Sequence, residues 1–267
     1  MKDRKTFGSK NAYIANKTVV DIREEPGNFD GIGRRESQLL LGEVFVVESR
    51  DGDFYKGHSR LDGYKGYVRV SDVMPCEGTP THYVDRPITI IHSAPDIKHR
   101  SAISASFMSR LEIERGSLKN GFLRACGLGW VPESHIRPLS DLKKRIDHVS
   151  VALRLMDTPY RYGGRSSLGI DCSGLVQIAL TRAGFAHIPR DADMQERSER
   201  VGRIISPKKL QRGDIVFFPQ HVGIMLDSRN ILSATEKFSG VVKERLSDMI
   251  ERQGQITKVR RPGPIPA

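Results

Sequence analysis

From residue 17 to about residue 138 the chain sets short apolar runs between clusters of Gly, Asp, Asn and Pro, a pattern of short strands and tight turns. The pattern nearly repeats. DIREEPG is echoed by IIHSAPD, LLGEVFVVE by FMSRLEIER 67 residues on, and DGYKGYVRVSDV by CGLGWVPESHI. Val44 and Val46 in the first copy, and Leu111 and Ile113 in the second, alternate as the apolar positions of half-buried strands. After residue 139 the period changes. SDLKKRIDHVSVALRLM spaces Leu142, Ile146, Val149, Leu153 and Met156 as one face of a helix, with Ser140 as its N-cap. A loop-like DTPYRYGGRSSLGID follows, then a second helix from Cys172 through Leu175, Val176, Ala179 and Ala183 to a Gly184 C-cap. DIVFF, HVGIML, ILSAT and VVKERL then read as four strands at hairpin spacing. The back half is thus an α+β plan, one helix packed on an antiparallel sheet.

Length and charge narrow the classes. At 267 residues the chain has room for one to three domains. No apolar run approaches the ~18 residues of a spanning helix, so no membrane insertion is expected. The start, MKDRKTFGSKNAYIANK, lacks the apolar centre of a secretory signal, and residues 1–16 read as a polar arm. The net charge is +11, unevenly placed: residues 141–267 hold 22 Lys/Arg against 14 Asp/Glu, the first 140 hold 21 against 18. A basic back half suits an acidic small substrate. The cations are scattered rather than interleaved with aromatics, which speaks against nucleic acid. Cys76, Cys126 and Cys172 form no C-x-x-C pair, so neither a structural zinc nor another cofactor is expected. Three cysteines with no leader point to free thiols and a cytoplasmic location, with the cell wall as the alternative.

Chemistry concentrates at two positions. In GIDCSGLVQIAL, Cys172 stands where unpartnered N–H groups at a helix start stabilise a thiolate. His221 opens a strand just after the FFPQ turn, where an imidazole projects at the sheet's end. Either alone reads as readily as a structural residue. Together with their flanks, however, the two form a pattern. The RGD at 212–214 leads straight into apolar IVFF and reads as a turn into a strand, not as an adhesion signal.

The ordered blocks PYRYGG, DCSGLV, PRDADMQ, RGDIVFF and HVGIML resemble the NlpC-type bacterial cell-wall cysteine peptidases, a papain-like family, over about residues 145–262. The repeated front half resembles a tandem pair of bacterial SH3-like barrels, at 17–78 and 80–138. Two barrels ahead of such a domain resemble the subgroup that cleaves γ-D-glutamyl–diaminopimelate bonds in peptidoglycan fragments with a free N-terminal L-Ala. The resemblance implies a multidomain chain: two small all-β barrels, a papain-like α+β domain over 139–262 and a tail at 263–267. It implies Cys172 as nucleophile and His221 as base, held as an ion pair near neutral pH, and Asp171 as holder of the substrate amine. Ser173 would lie by the scissile bond, and Tyr162, Arg190 and Asp191 would line the groove. Tyr64 of the first barrel falls where related enzymes supply a tyrosine to the amine. Asp171 and Asp191 read equally as helix caps, and Tyr64 as a barrel-core ring. One position departs from the pattern. The third residue that orients the histidine, usually His, Asn or Gln 12 positions on, is here Ser233, with Thr235 as a second candidate by strand alternation. The implied partner is a peptidoglycan peptide and the implied role murein recycling, with an extracytoplasmic hydrolase or a weakened wall-peptide-binding protein as alternatives.

Overall fold

The computed structural model describes residues 11–27 and 34–263. The chain divides into two compact units, residues 1–139 and 140–267.

In the N-terminal unit the two copies of the repeat become two β bodies. The first is a seven-stranded sheet in the order Arg35–Leu40, Val19–Arg23, Lys65–Arg69, Phe54–Ser59, Val44–Asp51, Ala12–Ala15 and Val73–Pro75. Of the expected polar arm, residues 1–10 lie outside the described residues. The rest departs from expectation, because Ala12–Ala15 is a strand paired to both Val44–Asp51 and Val73–Pro75. Ala12 and Ala15 are buried there, small enough to sit between two neighbours. The core gathers Ala15, Val20, Ile22, Leu39, Phe45, Val68 and Val73. Phe45, not Val46, is its inward residue, with Val47 packed beside it. The larger ring takes the core position, which turns the alternation read from Val44 and Val46 over by one residue.

The second body combines a four-stranded sheet (Ser101–Ser106, Ile88–His92, Gly129–Pro132, Phe122–Ala125) with a three-stranded one (Arg110–Leu111, His82–Val84, Ile136–Pro138). Leu111 and Ile113 are in its core, as the alternation predicts, but so is Leu41 from the first body. Leu41 reaches it because Gly42 follows at φ +76°, and a Cβ there would lie 2.0 Å from the Arg110 carbonyl oxygen. Arg110 N–H donates to the Leu41 carbonyl at 2.7 Å. Only glycine permits that close approach, which fuses the two bodies into one unit.

The C-terminal unit is built on a six-stranded antiparallel sheet in the order Arg203–Ile204, Lys258–Arg261, Ile215–Phe218, His221–Met225, Asn230–Thr235 and Gly240–Arg245. The four central and following strands are those read from the sequence. Helix α1 is His148–Leu153, shorter than expected. Residues 139–143 form one 3-10 turn, and Asp147 rather than Ser140 caps α1, accepting from Val149 and Ser150 N–H. Helix α2, Cys172–Arg182, is buried from Cys172 through Leu180 and packs against α1 and against His221–Met225 and Asn230–Thr235. Its apolar surface runs all round, as expected of an enclosed helix. Helix α3 is Ala192–Arg197, and α4, Leu246–Gln253, covers the opposite face of the sheet through Met249. In the 212–214 turn Asp214 is wholly buried and clasped by Arg261 at 2.7 and 2.9 Å.

Candidate active site

Sequence places Cys172 at the first position of α2, and Asp171 makes that start a sharp one. Its Oδ1 accepts from Gly174 N–H at 2.7 Å, an N-cap bond that spends one of the unpartnered donors. Gly174 is required on the other side of the turn: a Cβ would stand 2.3 Å from the Gly164 carbonyl oxygen. The loop of PYRYGG is thereby laid against the helix start. Asp171 N–H donates to that same Gly164 carbonyl at 3.2 Å, and Tyr160 bridges to Ile170.

The histidine comes from a tight hairpin. Phe218 pairs with His221 across a two-residue Pro219-Gln220 turn, and Gln220 takes φ +58°. Proline's fixed φ followed by a left-handed residue is the type II pattern, which favours glycine at that second position. The ladder to the next strand stops at Ile224↔Leu232, three residues short of His221. Into that splayed region comes the thiol. Cys172 is hydrogen-bonded by the backbone of Val222, next to His221, and by that of Ser173. His221 Nε2 lies 3.2 Å from Ser233 Oγ. Nε2 is thus the ring nitrogen engaged with the serine. Ser233 is fully buried and opposite Val242 on the far strand. Thr235 is buried too, but the bond to His221 is made by Ser233.

Electrostatically both partners are pushed toward their neutral forms. Burial pushes the Cys172 thiol up to about 12, helped by the Asp171 charge, against the Val222 and Ser173 backbone bonds. Burial pulls His221 down to about 4, and the Arg252 guanidinium adds to it, against Glu244 and Asp171. Burial, with 9 % of Cys172 and 7 % of His221 exposed, thus works against the ion pair expected near neutral pH and opposes the helix-start donors.

Around this pair the other expected residues take definite places. Arg190, 1 % exposed, holds Asp171 with two nitrogens at 3.0 and 2.6 Å, Ser173 Oγ at 2.8 Å and the Gly164 carbonyl at 3.3 Å. It clamps loop and helix start together. Asp171 is thus cap and ion-pair partner at once. Asp191 occupies the N-cap position of α3, yet its side chain makes no cap bond. Tyr162 is about half exposed. Tyr64 belongs to the N-terminal unit and packs partly against the first core.

Three contributors escaped the sequence reading. Tyr160, two residues before Tyr162, has its hydroxyl raised above the ordinary range by burial first and then by its nearness to Cys172 and Asp171. Gln195 of α3 donates to the Ser173 carbonyl at 2.9 Å, fixing the backbone after the thiol. Glu244 and Arg252, paired at 2.6 and 2.7 Å, stand behind His221. The first lay inside a quoted block and the second ended one. The third needed the sheet register, which puts Glu244 two residues from Val242, on the Ser233 face. Among the described residues no cluster of His, Cys, Asp and Glu is arranged for a metal.

Residues 157–260, the span that carries this constellation, match the NlpC/P60 family. The C-terminal unit thus carries an NlpC/P60 domain. Residues 31–73 match the bacterial dipeptidyl-peptidase SH3 domain. The NlpC/P60 family is one of cysteine peptidases, in keeping with a thiol and an imidazole at its centre. Among similar proteins, "Dipeptidyl-peptidase 6" of Lysinibacillus sphaericus is 45% identical over 78 residues, 29% of this chain and 28% of that protein. The "Gamma-D-glutamyl-L-lysine dipeptidyl-peptidase" of Bacillus cereus is 28% identical over 70% of this chain and 61% of its own length. The Bacillus subtilis protein of that name is 24% identical over 85% of this chain and 80% of its own. The chain thus spans well under two thirds of the first of these relatives, and just under two thirds of the second. A crystal structure of an NlpC/P60 family protein from Bacillus cereus superimposes with a TM-score of 0.81 at 19% identity, covering 95% of this chain and 100% of that one. It shows a shared fold.

Proposed function

We propose that this chain is a cysteine peptidase that hydrolyses the γ-D-glutamyl–diamino acid bond, diaminopimelate included, of peptidoglycan peptides with a free N-terminal L-Ala. The observation that supports the reading is the Val222 backbone bond to Cys172, one residue along from a histidine whose Nε2 lies 3.2 Å from Ser233 Oγ. The names of the two γ-D-glutamyl-L-lysine dipeptidyl-peptidases support the choice of bond. So does the basic back half, which suits a substrate with several carboxylates.

In this mechanism His221 Nδ1 takes the thiol proton as Sγ attacks the γ-carbonyl carbon. The oxyanion is met by backbone N–H at the α2 start and by the Tyr160 hydroxyl, which burial keeps protonated. The His221 proton passes to the leaving amine, and a water, deprotonated by the same ring, releases L-Ala-D-Glu from the thioester. Ser233 holds the tautomer. Asp171 receives the free amine, Ser173 flanks the scissile bond, Tyr162 and Asp191 line the groove, and Arg190 fixes the position of Asp171. The second β body is read as a second SH3-like barrel, the C-terminal unit as papain-like, and the cytoplasm as the compartment. Its three unpaired thiols fit a reducing environment.

Mass spectrometry of the acid-quenched reaction tests the covalent step. An adduct of L-Ala-γ-D-Glu on the Cys172 peptide is expected. Turnover of the peptide with the adduct on another residue would overturn it.

A further inference from the structure

The C-terminal unit holds a cavity of about 670 Å³, lined chiefly by His148, Arg203, Gln211, Arg212, Gly213 and Arg261. It sits at the other end of the sheet from the thiol. In Ile215–Phe218 the first residue pairs with Arg260, neighbour of Arg261, and the last pairs with His221, about 10 Å further along.

Three guanidinium groups and no carboxylate residue line this cavity. Two of the three are held from behind. Arg261 is clasped by Asp214 at 2.7 and 2.9 Å and also donates to the Lys209 carbonyl at 2.8 Å. Arg212 is held by Asp147 at 2.5 Å. The third, Arg203, is exposed, and its side chain has no hydrogen bond or ion pair among the described residues. It is also the direct cross-strand partner of Arg261. Like charges opposed on neighbouring strands repel, and among the described residues no carboxylate pairs with Arg203. The wall opposite is firm: His148 Nε2–H donates to the Gly213 carbonyl at 2.8 Å, and Gly213 N–H to the Met225 carbonyl at 2.8 Å.

Guanidinium forks fixed in place, with one cation left over, form a receptor for oxyanions. The cavity is far larger than one ion needs and falls in the range of small-molecule sites. We propose that it binds a small polyanion, a molecule bearing phosphate groups or several carboxylates, independently of the thiol. Arg203 and Arg261 share one oxyanion group, and Arg212 faces the remainder. Neither hydrolysis nor the peptide specificity above enters this assignment.

The test is isothermal titration of the full chain at low ionic strength with two probes, sodium pyrophosphate and sodium citrate. At least one is expected to bind, more weakly as salt is raised. Arg203→Gln should weaken it about tenfold or more, while Cys172→Ala leaves it unchanged. Tighter binding of pyrophosphate assigns the site to phosphate-bearing molecules, tighter binding of citrate to polycarboxylates. Heat from neither probe, equal binding by Arg203→Gln, or loss of binding in Cys172→Ala would each overturn the proposal. Because Arg203 is exposed, its replacement leaves the fold and the thiol-dependent activity intact.

Discussion

A thiol whose proton is held to about pH 12 and an imidazole that stays neutral down to about pH 4 make a nucleophile that is quiet until substrate arrives. In the free protein, Cys172 should therefore react slowly with iodoacetamide at pH 7 and faster as pH climbs through the alkaline range. Rapid labelling of Cys172 below pH 8, read by peptide mass spectrometry, would restore the ion pair that the sequence alone suggests. In the proposed mechanism Ser233 acts through the histidine rather than on substrate. Ser233→Ala should lower kcat by roughly tenfold, the worth of one neutral hydrogen bond, with KM little changed. A matching fall in affinity instead would give Ser233 a different part. The residues of the pair and of its orienter were legible because each sits in a local pattern: a helix start, a strand start and a fixed 12-residue offset. The partners of Asp171 were not. Its bond to Gly174 is local, but Arg190 arrives from 19 positions on, and nothing in the sequence announces that a buried guanidinium will close on that carboxylate.

At the scale of elements, the contact that positions the nucleophile is the seating of the PYRYGG loop on the first turn of α2. Gly174 permits it, and Gly174→Ala puts a methyl against the Gly164 carbonyl. The expected cost is about 1–3 kcal/mol of overpacking, read as a lowered midpoint in urea with an unchanged slope. An unshifted midpoint would show that the loop gives way freely. Helix and strand order in this unit followed from apolar periodicity. Boundaries did not, where two signals compete: Ser140 and Asp147 are both good caps, and Asp147 wins with two backbone donors and Arg212 behind it. Likewise the strand at Val44–Asp51 has apolar residues on both faces, so alternation alone could not tell that Phe45 faces inward.

For the whole molecule the buried histidine sets an acid limit. His221 binds its proton at about 4 when folded and near its ordinary 6.5 when unfolded, so below pH 6.5 the unfolded chain takes up protons that the folded chain refuses. Stability present above pH 6.5 is lost as pH falls toward 4, by about 3 kcal/mol from this group. Urea midpoints between pH 7 and 4 should fall in the natural protein and fall less in His221→Gln. Parallel curves would place His221 in water. The repeat that announces two β bodies was visible in sequence, but their fusion was not, because Leu41 and Gly42 mark it only through a contact with Arg110. The central claim rests on one bond cleaved by one sulfur. The direct measurement is chromatography of L-Ala-γ-D-Glu-diaminopimelate and its lysine counterpart, each free and N-acetylated, after incubation with the full chain or with Cys172→Ala. The account predicts L-Ala-D-Glu from the free-amine peptides and only when Cys172 is present. Release from the acetylated peptides at the same rate, release by Cys172→Ala, or no release from any of them would contradict it.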